Sequence, residues 1–141
     1  MTELTVFDLH NAMRNNFYDK QPEKYISIDE GWYKLVLDCH LELVKIDPDY
    51  RVLQIKQKFG ELRYYYEPSQ EYWEEYKTVS SMAKISSKYE NLSKTTCEAT
   101  GGSGVLMKSP KGHFKTLNSE WASQNPPYDK YYVFKSVNPS S

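Results

Sequence analysis

The chain has 141 residues, of which 39% are hydrophobic and 15% aromatic, with 13 tyrosines, two cysteines and a formal charge of −1. That length and balance predict one soluble, mixed globular domain spanning residues 1–141. No apolar run exceeds the four residues 131–134, which argues against a membrane span, and the charged first twenty residues lack the apolar core of a secretory signal.

Val6, Leu9, Met13 and Phe17 recur at helical spacing and predict a first helix near residues 3–18, capped by Thr2 or Thr5 and ended before Pro22. Asp29, or Ser27 with Glu30 as a capping box, opens a second helix. Its apolar side is Trp32, Leu35, Val36, Cys39, Leu43 and Ile46, with His40 at the surface or boundary, and Pro48 ends it. Residues 51–67 change to a period of two. Leu53, Ile55 and Phe59 alternate with Gln54, Lys56 and Lys58, and Leu62, Tyr64 and Tyr66 with Arg63, Tyr65 and Glu67. This predicts a hairpin of strands 51–58 and 61–67 around a type II′ turn at Gly60-Glu61. In that register Phe59 faces Leu62, Gln57 faces Tyr64 and Ile55 faces Tyr66 on a core side. Lys58–Arg63, Lys56–Tyr65 and Gln54–Glu67 then pair on the outer side.

Pro68 or Ser69 starts a third helix with the stripe Tyr72, Tyr76, Val79, Met82, Tyr89 and Leu92, ending near residue 93. After the break Gly101-Gly102-Ser103-Gly104, strands at 105–108 and 113–117 flank a turn at Ser109-Pro110-Lys111-Gly112. Beyond Asn125-Pro126-Pro127, the aromatic stretch 128–134 is an edge strand or a docked tail, and the last four residues read as disordered. The predicted class is α+β: three helices packed on the hairpin within residues 1–95, a small hairpin over 96–121, and an aromatic tail over 126–141.

The charges divide along the chain. Residues 1–50 hold ten acids against five bases, residues 51–141 nine acids against thirteen bases, and the stretch 76–115 seven lysines against Glu90 and Glu98. Such a split gives an acidic and a basic face, either merely solvated or meeting a partner. Cys39, Cys97, His10, His40 and His113 fall in no metal-binding spacing, so neither metal nor cofactor is expected. Cys39 lies on the apolar stripe as a core side chain, and two cysteines suit a reducing cytosol. No nucleophile elbow is visible, and Lys108-Ser109 follows Met107 where a phosphate loop needs glycine. An enzyme is therefore not expected.

Two constellations suggest binding instead. The outer hairpin face (Lys56, Lys58, Arg63, Tyr65) with the third-helix lysines Lys77, Lys84 and Lys88 offers phosphate contacts and a stacking ring for nucleic acid. The same charges serve equally as a solvated face or as edge protection. The tail residues Tyr128, Tyr131, Tyr132 and Phe134 offer a protein-contact strip or a cover for the protein's own core. Tyr64, Tyr66, Tyr72 and Tyr76 suggest either a Tyr-lined small-ligand pocket or plain core.

Four segments in order are Gly31-Trp32-Tyr33, the run QIKQKFGELRYY at 54–65, Cys97-Glu98-Ala99-Thr100-Gly101, and Gly112-His113-Phe114-Lys115-Thr116-Leu117. Over residues 25–121 they resemble a group of small proteins of bacteriophages and prophages. Those carry a Gly-Trp near a helix start, a QIKEKFGGLRFYY-like segment, and a CxxCG followed by GWxxTLC and a late histidine. In that group the cysteines and histidine look like ligands of a zinc ribbon. Here only Cys97 matches, with Thr100, Asn118 and Trp121 at or near the other positions. The resemblance thus implies a metal-free, ribbon-like hairpin held by Val105, Met107, Phe114, Leu117 and Trp121. The expected function is that of a phage-type accessory protein in the cytoplasm of a bacterial host. It would bind a host or phage macromolecule without catalysis, inhibition of a bacterial defence function being one form.

Overall fold

Thr5 opens the first helix. Its hydroxyl accepts from the Asp8 N–H at 3.1 Å, and the Asp8 carboxylate accepts from the Thr5 N–H at 3.1 Å. This reciprocal cap starts α1 (Val6–Met13) in the computed structural model, which describes residues 3–135. The expectations for Thr2 and for the last four residues lie outside the described residues. α1 is shorter than the spacing predicts, and its chain tightens into a 3₁₀ turn at Arg14–Asn16. Asn16 accounts for the change: its amide turns inward and donates to the carbonyls of Pro48 and Tyr50 at 3.0 and 2.8 Å. Thr5→Ala is expected to cost about 1 kcal/mol, read as a lower urea midpoint at unchanged slope.

α2 (Tyr33–Ile46) follows a 3₁₀ turn at Glu30–Trp32, and neither Ser27 nor Asp29 caps it by side chain. Trp32, Val36, Cys39 and Leu43 are buried as the stripe requires. Burial holds the Cys39 thiol well above its ordinary pKa, so it stays protonated and inert. His40 departs from expectation: it is buried, with Nδ1 2.7 Å from the Tyr50 hydroxyl, which lies 2.6 Å from the Tyr64 hydroxyl. Burial lowers the imidazole pKa to about 4, against the opposing pull of the Ala12 backbone. A buried imidazole needs such a partner, and it comes from outside the helix, where the helical period does not reveal it.

β1 (Ile26–Ser27), β2 (Arg51–Lys58) and β3 (Glu61–Glu67) form one sheet in that order, β1 parallel and β3 antiparallel to β2. The hairpin strands match the predicted bounds, but the register differs by two residues: Gln57 faces Leu62, Ile55 faces Tyr64 and Lys56 faces Arg63. The turn is Phe59-Gly60, with φ of +55° and +79°, as a type I′ turn requires, in place of Gly60-Glu61. An irregularity between Val52 and Gln54 then turns Leu53 outward and Val52 into the core. Phe59, expected inside, is 60% exposed at the turn.

α3 (Tyr76–Ser93) starts later than predicted, after a 3₁₀ turn at Gln70–Tyr72, and ends where expected. It lies along the β3 edge, where Ser93 Oγ accepts from the Leu62 N–H and Glu90 Oε2 from the Tyr64 N–H, each at 2.9 Å. Tyr76 is 82% exposed whereas Tyr64 is buried, so no tyrosine-lined pocket forms from Tyr64, Tyr66, Tyr72 and Tyr76. Leu92 is exposed too, while Met82 and Tyr89 are buried.

β4 (Val105–Lys108), β5 (Phe114–Leu117) and β6 (Tyr132–Val133) make a second sheet, with β4 in the middle. The aromatic stretch therefore supplies an edge strand. A short helix, α4 (Ser119–Ser123), links β5 to it. Cys97, Met107, Leu117 and Ala122 form the second apolar cluster, packed against Trp121, Tyr128 and Tyr131. Two expected members are absent from it: Val105 is exposed, and Phe114 turns instead towards Phe59 and Phe134, at ring separations of 6.0 and 5.1 Å. The fold is α+β, and among the described residues no helix is long and apolar enough to cross a membrane.

Candidate functional site

The two apolar clusters meet through polar groups. Gly31 brings the start of α2 against the backbone of Cys97 and Glu98, so close that a side chain there would collide with both carbonyls. The Gly31 N–H donates to the Glu98 carbonyl at 2.7 Å, and Trp32 Nε1 donates to the Thr96 carbonyl at 2.8 Å. A second contact lies at the hairpin tip, where the Thr116 hydroxyl donates to the Gly60 carbonyl at 2.6 Å.

Between these contacts runs a charged chain. Glu98 is only 1% exposed; its Oε2 accepts from the Asp29 N–H at 3.0 Å, and its Oε1 makes no hydrogen bond. Lys115 Nζ lies 2.7 Å from Asp29 Oδ2 and 3.3 Å from Glu98 Oε1. Burial pushes the Glu98 pKa up, and Lys115 with the Asp29 amide only partly offsets that. Burial pulls Lys115 down, yet Asp29 and Glu98 outweigh it and leave its pKa raised, so the ammonium persists.

Over this chain opens a cleft of about 350 Å³, lined among others by Asp29, Glu30, Tyr33, Trp121 and Tyr128. Asp29 and Glu30 are exposed, and the three aromatic residues are half-buried. Trp121 and Tyr128 pack at 5.6 Å with a 35° tilt, forming one continuous ledge, and Lys115 Nζ lies 5.8 Å from the Tyr128 ring centre. Burial, then Glu30 and Asp29, raise the Tyr33 hydroxyl pKa, as a negative field at the cleft should. The arrangement suits a cation with an apolar or planar body.

Of the tail residues, Tyr128 lines this cleft and packs on Tyr131 at 5.3 Å. Phe134 covers Phe114, while Tyr132 projects from the sheet edge at 50% exposure. The four residues thus serve three places and make no single strip. The basic set is also divided. Lys56 lies over Tyr65 at 5.9 Å on the outer sheet face, and Lys58 over Phe59 at 5.8 Å at the turn. Arg63 is held by Glu61 at 3.6 Å. Lys77, Lys84 and Lys88 share one stripe of α3, from which Lys88 reaches Glu42 of α2 at 2.8 Å. α2 covers the inner sheet face, so this stripe lies across the sheet from Lys56 and Tyr65.

Residues 97–101 form a tight turn in which the Gly101 N–H donates to the Cys97 carbonyl at 2.8 Å. The Cys97 sulfur accepts from the Thr100 N–H at 3.4 Å, and Asn118 caps α4 by accepting from the Trp121 N–H at 2.9 Å. Among the described residues no group of three His, Cys, Asp or Glu is placed to hold a metal.

Sequence reasoning missed Asp29, Glu30, Tyr33, Glu98 and Lys115 as one site. One signal was available: strand alternation puts Lys115 on the same side as Leu117, which is buried. A lysine sharing a buried strand face needs a carboxylate. Compared with protein-family models, curated proteins and solved structures, the chain matches none.

Proposed function

We propose that the chain is a phage-type accessory protein of the bacterial host cytoplasm that acts by non-enzymatic binding of a host or phage protein. Inhibition of a bacterial defence function is one outcome of such binding. The observation that carries this reading is the junction cleft, where Tyr33, Trp121 and Tyr128 stand beside the exposed carboxylates of Glu30 and of Asp29, the latter paired with Lys115. Half-buried Trp and Tyr are among the residue types enriched at protein interfaces. The nucleic-acid alternative draws on Lys56, Lys58, Arg63 and Tyr65, but its helix lysines lie across the sheet from them, and Arg63 and Lys88 already hold carboxylates.

Affinity capture from bacterial lysate, run in parallel with the wild type and three variants, tests the proposal. A protein retained by the wild type and by Lys56→Ala/Lys58→Ala, but lost from Tyr33→Ala and Trp121→Ala at matched folded fraction, is the expected result. Retention by all variants, or a nucleic acid released steeply by salt, would overturn it.

A further inference from the structure

We infer that the group this cleft receives is the guanidinium of an arginine side chain on the partner. The inference rests on the binding reading above and names its chemistry. Charge comes first: even with Glu98 uncharged, Asp29 and Glu30 outnumber Lys115, and neither Asp29 Oδ1 nor the Glu30 carboxylate makes a hydrogen bond or ion pair among the described residues. Lys115 answers Asp29 through Oδ2 alone, so the cleft keeps an excess negative charge, and an anionic or neutral occupant would leave the Glu30 carboxylate without a counter-charge.

Shape decides between cations. A quaternary ammonium is round and calls for rings on several sides. Here Trp121 and Tyr128 pack against each other at 5.6 Å with a 35° tilt as one ledge, with Tyr33 as the remaining aromatic wall. That surface accepts a flat cation lying on it. A lysine ammonium is compact and strongly hydrated, and Lys115 already supplies one to Asp29 Oδ2 at 2.7 Å. The guanidinium is planar, weakly hydrated, stacks on aromatic faces and presents a fork of donors to carboxylates. It can lie on the ledge while its edge reaches Asp29 Oδ1 and Glu30, and a cleft of about 350 Å³ holds it with part of its stem.

The test is an NMR titration of the full chain with four blocked probes: N-acetyl-arginine methylamide, the lysine and citrulline equivalents, and tetramethylammonium. The arginine probe is expected to shift the Trp121 indole and the Tyr33 and Tyr128 ring signals at millimolar concentration. Citrulline, a neutral isostere, should leave them in place. Glu30→Gln, an exposed substitution that leaves folding intact, should weaken the arginine probe roughly threefold to fivefold, and salt should weaken it further. Equal shifts from lysine, stronger ones from tetramethylammonium, or none from arginine would overturn the inference. Should the probes fail while capture still depends on Tyr33 and Trp121, the guanidinium falls and the binding surface stands. Should capture ignore those residues, the surface itself falls.

Discussion

Gly31→Ala is expected to lower stability by about 3 kcal/mol or more, measured as a fall in urea midpoint. The added methyl would meet the carbonyl oxygens of Cys97 and Glu98. Neither can swing aside, because the Cys97 N–H donates to the Gly102 carbonyl at 2.7 Å and the Glu98 N–H to the Thr116 carbonyl at 2.9 Å. The second cluster must therefore back away as a body. That breaks the Gly31 N–H bond to Glu98, strains the Trp32 bond to Thr96 and opens the Lys115 pair with Asp29. Overpacking of this kind costs about 1–3 kcal/mol, and each lost hydrogen bond about 1 more. Gly102→Ala is the control, since its nearest neighbour is Thr100 Oγ1 at 3.5 Å, and it should move the midpoint by no more than about 0.5 kcal/mol. A Gly31→Ala midpoint equal to that control would show that the junction yields at little cost.

Acid should weaken the fold through His40. Its pKa is about 4 in the fold against an ordinary 6.5, so as pH falls the unfolded chain takes up the proton first. The stabilisation is complete above pH 6.5, drains away between 6.5 and about 4, and changes no further below that. Across that window the loss is about 3 kcal/mol. Glu98 works in the opposite sense, because its raised pKa lets the fold take up a proton before the unfolded chain does. The comparison that isolates His40 is thus wild type against His40→Phe, with unfolding measured between about pH 4 and 7. The variant is expected to lose the decline. Parallel curves for the two proteins would mean that the imidazole charges without cost inside the core.

The hairpin shows where sequence is informative and where it stops. Alternation in 51–67 marks both strands and their faces, because Ile55, Leu62 and Tyr64 must share a side. A shift of two residues preserves that parity, so the pattern alone cannot separate the predicted register from the observed one. What separates them is tertiary. Phe59 takes positive φ in the turn, uncommon for an aromatic residue, and its ring meets Phe114 of the second sheet. The cleft is less legible still. Asp29 and Glu30 read as helix-capping residues and Glu98 as one residue of a knuckle, and nothing local joins positions 29, 98 and 115. His40 belongs with them: its partner Tyr50, itself bonded to Tyr64 of β3, lies outside the helix, and a helical wheel places His40 one step off the apolar stripe. The helical part of the first apolar cluster, by contrast, is legible from periodicity in Leu9, Met13, Phe17, Trp32, Val36, Cys39 and Leu43.

The contact between α3 and β3 bears on how copies of this protein can associate. A strand whose outward amides are already taken by Ser93 and Glu90 offers no ladder to a second chain. Stacking strand upon strand, the first step towards a fibril, is closed on that side for as long as the helix stays wound. Conditions that melt α3 would expose Leu62 and Tyr64 together with their free amides, so loss of that one helix should mark the onset of self-association.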